Sequence, residues 1–207
     1  MDIEDEGVQD EIQFEGLIQG LIDNDFGCCN DFISPLTMTG LSANITRLSE
    51  SGSMTAAGIG NAKEPHSNLL IRSDTVNWIE SKSTDPHEAL YLKKIGNFIK
   101  HLNTTCYTSI KGFECHYSNY GKGDFYKRHL DQFKNEKGRK YSIVLYLNED
   151  WKDADGGMLS LYPKGGKQQD ISPVGGRMVF FRSNEMEHEV QTSLTRERRS
   201  IAGWLKD

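Results

Sequence analysis

Lysine and arginine are absent from the first 46 residues of this chain, a stretch that carries ten acidic residues. The remainder holds 24 basic and 20 acidic residues, so the overall charge of -6 originates at the amino-terminal end. No dense basic stripe interleaved with aromatics occurs, which argues against nucleic acid as a partner. Cysteine is scarce: Cys28, Cys29, Cys106 and Cys115 include an adjacent pair but no C-x-x-C. That pattern suggests neither a structural zinc site nor a disulfide framework, and a reducing cytoplasm is the expected home. No apolar run approaches the roughly 20 residues needed to span a bilayer, so no membrane association is expected. The chain also opens without the basic and apolar regions of a secretory signal.

What remains is enough for one domain with a full core at 207 residues. Residues 1–11 are polar and acidic, and are expected to be mobile. Residues 12–207 are read as a single domain, with helical support over 12–110 and a β core over 111–207. In Ile12–Ile22, the residues Phe14, Leu17, Ile18, Leu21 and Ile22 have helical spacing. Phe26–Phe32 reads as a short strand. Ser34 and Pro35 are an N-cap and first-turn pair, opening a helix to about Ser49. Glu50–Ser67 is rich in Ser, Gly and Ala and reads as a long loop; loops of this length are often lids, and the expected lid covers about 50–74. A further helix is predicted from Pro86 to Leu102, with Leu90, Leu92, Ile95, Phe98 and Ile99 on its apolar face.

From Phe113 onward the pattern changes to short strands separated by turns. The candidates are Phe113–Tyr120, Tyr126–Asp131, Tyr141–Asn148, Met158–Tyr162, Gln168–Ile171, Arg177–Arg182, His188–Gln191 and Arg198–Lys206. Gly156-Gly157, Gly165-Gly166 and Gly175-Gly176 mark turns between them. The expected fold is mainly β: a double-stranded β-helix, or jelly roll, supported by amino-terminal helices.

Three pieces of sequence carry chemistry. His129-Leu130-Asp131 has the H-x-D spacing, and on a strand residues i and i+2 face the same way. By itself this motif is weak. His188 follows the apolar strand Met178-Val179-Phe180-Phe181 and is distant from His129 in the chain. A jelly roll brings such strands side by side. Two imidazoles and a carboxylate on one face of a metal suit Fe(II) and leave other coordination positions open. The last strand places Arg198, Ser200, Ala202 and Trp204 on one face and Arg199, Ile201, Gly203 and Leu205 on the other. An inward Arg needs an anionic partner, because an unpaired buried charge is costly. Lys122, Lys127, Arg128, Lys134, Lys137, Arg139 and Lys140 make a locally basic stretch, read either as a solvated rim or as a cationic mouth.

Taken together, Tyr120–Leu205 resembles the catalytic core of the prolyl-hydroxylase family of 2-oxoglutarate-dependent oxygenases, including the oxygen-sensing enzymes of animals and their bacterial relatives. The resemblance rests on Tyr126 through Asp131, Tyr146 through Trp151, Gly156-Gly157-Met158-Leu159, His188 through Gln191 and Arg198 through Trp204. Ile71 through Glu80 extends it upstream, to about residues 26–207 in all. It implies that His129, Asp131 and His188 ligate Fe(II), with 2-oxoglutarate and dioxygen as co-substrates and ascorbate as an optional reductant. Arg198 and Tyr146 would hold the far carboxylate of the keto acid. Tyr120 lies one residue out of register with a family tyrosine, Leu159 and Val144 form an apolar wall, and Ser200 lies beside Arg198. Tyr126, Trp204, Arg139, Trp78, Arg72 and Asp74 fall where the family contacts substrate. The chain departs from the pattern in a His188–Arg198 spacing one residue longer than in the animal enzymes, and in Ala202, where a hydroxyl-bearing residue is usual.

The leading expectation is hydroxylation of a proline in a protein loop, yielding succinate and carbon dioxide. The resemblance implies elongation factor Tu as the partner among bacterial relatives and a hypoxia-inducible factor subunit in animals. A monomer is expected. Two other readings stay open: the same chemistry on a free amino acid or small metabolite, and a non-catalytic jelly-roll binding module.

Overall fold

The computed structural model describes residues 3–58, 70–132 and 138–207. Three helices, α1 (Ile3–Asn24), α2 (Pro35–Glu50) and α3 (Pro86–Thr105), precede or interrupt a set of antiparallel strands. The strands are β1 (Phe26–Cys29), β2 (Thr55–Ala56), β3 (Thr75–Trp78), β4 (Gly112–Tyr120), β5 (Tyr126–His129), β6 (Arg139–Tyr146), β7 (Leu159–Tyr162), β8 (Gln169–Ile171), β9 (Met178–Arg182), β10 (Glu187–Val190) and β11 (Arg198–Lys206). Seven form a major sheet in the order β1-β9-β6-β11-β4-β3-β2, and four form a minor sheet in the order β5-β10-β7-β8. This is the expected jelly roll.

Local chemistry explains the helix starts. The Ser34 hydroxyl accepts from the Thr37 N–H at 3.2 Å, and Pro35 follows with its φ already set. The Asp85 carboxylate accepts from His87 and Glu88 N–H groups at 3.0 and 2.9 Å, again before a proline. Either cap contributes about 1 kcal/mol. The α1 stripe Phe14, Leu17, Ile18 and Leu21 is buried. A side chain such as Leu17 contributes about 1.5–3 kcal/mol by leaving water.

Burial splits into two cores that follow strand parity. Helix residues pack with Ile143, Leu145, Phe180, Ile201 and Leu205 on the outer face of the major sheet. The alternate residues, Tyr120, Tyr146, Val179 and Phe181, face Leu159, Leu161 and Val190 of the minor sheet. The functional strands therefore line the space between the sheets, and the helices brace the major sheet from behind.

Several expectations are corrected. The first helix begins at Ile3, so most of the acidic segment 1–11 is helical and its apolar stripe merely starts later. Ile22 is 65% exposed and Leu90 52% exposed. On α3 the buried line is Tyr91, Ile95, Phe98 and Leu102, a steadier helical spacing than one through Leu90. The segment 50–74 is not wholly irregular, since Thr55–Ala56 pairs with β3. Residues 59–69 of the expected lid lie outside the described residues.

Helix α1 and strand β1 meet at two glycines. A Cβ on Gly20 would lie 2.8 Å from the Gly27 Cα, and a Cβ on Gly27 would run into the Leu17 backbone. Gly27→Ala is expected to part helix from strand and to cost about 1–3 kcal/mol or more. Urea denaturation is the check; an unchanged midpoint would contradict this packing.

Candidate metal centre and keto-acid pocket

Strands β5 and β10 pair so that His129 and His188 are direct cross-strand partners. Their rings lie 4.2 Å apart. Strand β5 ends at His129, so Asp131 sits just past the strand rather than on it, correcting the expected boundary. The chain bends there and still brings the carboxylate back: Asp131 Oδ1 is 3.5 Å from His129 Nε2, and Oδ2 is 3.6 Å from His188 Nε2. One donor atom from each of the three residues fits within 4.8 Å of the others.

The tautomers are set by the backbone. His129 Nδ1 lies 2.7 Å from the Lys127 carbonyl, and His188 Nδ1 lies 3.1 Å from the Met186 carbonyl. A carbonyl only accepts, so each Nδ1 carries the proton and each Nε2 presents a lone pair. Asp131 Oδ2 accepts from the Ser142 hydroxyl at 2.6 Å, and Ser142 also meets Ser183 at 2.8 Å. Burial alone would raise the Asp131 carboxyl, but His188, His129 and Ser142 together hold it well below the usual carboxylate range. The cluster is thus an ionised carboxylate beside two imidazoles, the donor set that Fe(II) takes.

Deeper between the sheets, Arg198 is 1% exposed. Its Nε donates to the Gly157 carbonyl at 2.7 Å and its Nη1 to Ser200 Oγ at 3.3 Å. Its Nη2 is buried without a hydrogen-bond partner among the described residues, and so is the Tyr146 hydroxyl. The guanidinium carbon lies 5.0 Å from the Tyr146 ring centroid and 5.1 Å from that of Tyr120. No carboxylate of the described residues pairs with Arg198. Burial pushes the Tyr146 phenol up to about 12, with Arg198 pulling the other way, so the hydroxyl remains a donor. A buried guanidinium without a counter-charge is costly, and a dicarboxylic acid would satisfy both unpaired donors at once. Leu159 and partly buried Val144 share the surrounding apolar cluster with Tyr120 and Tyr146. The residues present therefore fit both Fe(II) and 2-oxoglutarate.

The residues expected to meet substrate fall into two groups. Trp204 packs against Arg139, with the guanidinium carbon 3.7 Å from its ring centroid, and lies 6.2 Å from Trp78. Tyr126 stacks on His129 at 3.5 Å, and Arg72 covers Tyr126 at 4.3 Å. Asp74 is 1% exposed and receives two 2.7 Å hydrogen bonds from Arg72, so its contacts lie within the chain. The basic stretch is also less cationic than its sequence. Arg128 pairs with Glu187, Arg139 with Glu114 and Lys140 with Asp207. Lys134 and Lys137 lie outside the described residues.

Sequence reasoning passed over Ser142, His116 and the role of Gly157. Strand parity could have found the first two, because Ser142 alternates with Val144 and Tyr146, and His116 with Tyr120. His116 forms a three-ring cluster with Trp78 and Trp204, at 5.0 and 5.4 Å, and its Nδ1 is 3.1 Å from Ser118 Oγ. Burial holds His116 down to about 4, with Arg72 and Arg139 adding to the effect and Asp74 opposing it. Burial also holds His188 at about 4, against the pull of Asp131.

These two histidines generate a pH dependence in the metal-free protein. Each stays neutral when folded but titrates near 6.5 when unfolded. Their stabilising contribution is whole above pH 6.5 and is lost as pH falls toward 4, roughly 3 kcal/mol apiece. Thermal melts in chelator are expected to show a falling midpoint over that window, and His116→Gln is expected to flatten part of the slope. A variant with the parent's full slope would contradict this.

Comparison with known proteins points to one family. The family model described as the 2OG-Fe(II) oxygenase superfamily matches residues 115–206. Egl nine homolog 1 of Homo sapiens is 30% identical over 195 residues, covering 89% of this chain and 45% of that protein. The rat protein of the same name is also 30% identical, with 56% of it covered. The chain thus spans about half the length of the curated relatives it matches. A crystal structure of a Pseudomonas putida prolyl-4-hydroxylase superposes with TM-score 0.83 at 30% identity, covering 93% of this chain and 98% of that one. A Trichoplax adhaerens prolyl hydroxylase, in complex with a peptide fragment of the hypoxia inducible factor oxygen degradation domain, gives TM-score 0.87 at 26% identity, covering 100% and 94%. With a histidine–aspartate–histidine cluster beside a buried arginine in a jelly roll, the chain belongs to the prolyl-hydroxylase family of Fe(II)- and 2-oxoglutarate-dependent oxygenases.

Proposed function

We propose that this protein hydroxylates a prolyl residue within a protein substrate, consuming 2-oxoglutarate and dioxygen and releasing succinate and carbon dioxide. One observation carries the reading: the buried Arg198 Nη2 and Tyr146 hydroxyl are left unpaired in the same inter-sheet space that His129, Asp131 and His188 line. Fe(II), held there, would activate dioxygen, the oxidant, with 2-oxoglutarate as co-reductant, and that chemistry puts one oxygen atom into an unactivated C–H bond and the other into succinate.

The protein's own groups do the rest. His129, Asp131 and His188 would hold the metal by three donors and leave its remaining positions free for co-substrates. Arg198 and Tyr146 would anchor the distal carboxylate, with Ser200 steadying the guanidinium. Tyr120, Leu159 and Val144 would exclude water along the keto acid's methylenes. The aromatic slot of Trp78 and Trp204, with Arg139 against it, offers faces for a proline ring and a cation for the flanking chain. Tyr126 and Arg72 would bound the other side of the mouth, with Asp74 holding Arg72. The solved neighbour with a hypoxia-inducible-factor peptide supports a protein substrate. A translation factor such as elongation factor Tu is the proposed target, as the resemblance to bacterial relatives implies. The four free cysteines are in keeping with a cytoplasmic location.

The test incubates the protein with iron, ascorbate, 2-oxoglutarate and candidate proteins, then reads tryptic peptides for a gain of one oxygen on proline. Succinate release that no prolyl protein or peptide stimulates, but free proline does, would turn the reading to a small-molecule substrate.

The keto-acid anchor yields a sharper expectation. Gly157 has φ +61°, and a Cβ there would lie 3.0 Å from Arg198 Cδ and 3.2 Å from Trp151 Cζ2. Gly157→Ala should displace the guanidinium and raise KM for 2-oxoglutarate by roughly 10-fold, the worth of one charge-assisted hydrogen bond. Succinate kinetics at saturating peptide check this, and an unchanged KM would show that the Gly157 carbonyl does not seat Arg198.

A further inference from the structure

Of the two histidines at the metal centre, only His188 is buried; the His129 side chain is 14% exposed and comes from β5, the last strand of the minor sheet. His129 Nδ1 donates to the Lys127 carbonyl, and its Nε2 lies 3.5 Å from Asp131 Oδ1. Histidine χ2 is a broad torsion, and both contacts lie in the plane of the ring, so they leave it able to tip. The structure supplies a second restraint. The Tyr126 ring lies flat on the His129 ring, 3.5 Å away with planes 15° apart. The Arg72 guanidinium covers the Tyr126 ring at 4.3 Å. Arg72 is itself fixed by a two-pronged ion pair, Nε and Nη2 each 2.7 Å from an oxygen of fully buried Asp74. Burial would lower the Arg72 pKa, but the hydrogen bond to Asp74 holds it above the ordinary arginine value, so the charge is permanent.

The backbone joins the same two segments. Ile71–Asp74 runs antiparallel along the outer edge of β5. Lys127 N–H donates to the Ile71 carbonyl at 2.9 Å and Ser73 N–H to the Phe125 carbonyl at 3.2 Å, with Arg72 bridging Tyr126. This strap thus ends in a stack of carboxylate, guanidinium, phenol and imidazole, of which the last is a metal ligand.

We propose that Asp74, Arg72 and Tyr126 are positioning residues for the metal: they set the plane of His129, and so link metal affinity to the seating of the Ile71–Asp74 strap on β5. This rests on the metal-centre reading and adds a role for residues otherwise assigned to the substrate. Linkage is reciprocal, so bound metal must in turn hold the strap down. A passing peptide that lifts the strap would loosen one iron ligand.

Metal binding to the apo protein tests this without turnover. Co(II) is titrated while its visible absorption is read for the parent, Tyr126→Leu, Tyr126→Phe, Arg72→Lys and His129→Ala. Tyr126→Leu is expected to weaken Co(II) by about 10-fold, the lower end of the range for lost outer-shell support, and to change the band shape. Tyr126→Phe, which keeps the ring, should restore the parent's affinity. Arg72→Lys keeps the charge but loses the planar cover, and should fall between them. In the parent, Zn(II) should slow hydrogen exchange at the Ser73 and Lys127 amides, and in Tyr126→Leu it should not. If His129→Ala loses Co(II) while Tyr126→Leu binds like the parent, the clamp is refuted and the metal centre stands. If His129→Ala binds like the parent, the metal centre and the clamp both fail.

Discussion

The site hangs on one cross-strand pair. His129 and His188 are opposite one another in the β5–β10 ladder, and the metal cluster exists only because that register holds. A slip of β5 by one residue would turn the His129 imidazole to the outer face and away from His188, since side chains alternate with period two. The register is secured on both flanks. Strand β10 also pairs with β7 over four positions, and the Ile71–Ser73 segment hydrogen-bonds to β5. The polar keystone is less protected than the apolar one, because the carboxylate that completes it comes from the turn after β5.

Major and minor sheets divide the labour. The major sheet carries Arg198, Ser200, Tyr146 and Tyr120, and its other face is sealed by helices α1, α2 and α3. Arg198 is held there by a backbone carbonyl, a hydroxyl and two aromatic faces, before any ligand is considered. The minor sheet carries the two histidines. The proposed anchor for a small diacid thus sits on the braced wall, and two of the three proposed metal ligands on the wall that faces it across the apolar cluster.

Much of this was legible in the sequence because period-two alternation is a strong signal. Arg198 and Ser200 point inward while Ile201 and Leu205 meet the helices, as their parity required. The cap at Ser34 announced its helix through Ser-Pro, whereas the third helix was read from its apolar spacing after Pro86 and its cap at Asp85 was passed over. Signals that depend on distant neighbours were not legible. The buried face of α3 runs through Tyr91 rather than Leu90, because the packing geometry of α2 and β4 decides it, and Tyr91 outweighs a neighbouring leucine only in three dimensions. The amino-terminal acidic residues are helical because Phe14 and Leu17 anchor the turn beyond them, and polarity alone misread them. Asp74 was read as a substrate contact, yet it is buried and its carboxylate is taken by Arg72. The cationic stretch around Arg128 lost its character to Glu187, Glu114 and Asp207, none of them near it in sequence.

Among the described residues the helices contribute nothing to the apolar cluster between the sheets, which is also the smaller of the two cores. The chamber is therefore built from short strands whose cohesion is modest, backed on one side by most of the molecule's apolar mass. Sequence drift in such a chamber is tolerated unevenly. Exchanges at the minor-sheet lining, such as Leu161 or Val190, perturb a few neighbours, whereas exchanges in Ile143 or Phe180 propagate into three helices. New substrate shapes are thus most easily accommodated by remodelling the unbraced wall, leaving the proposed diacid anchor untouched through divergence.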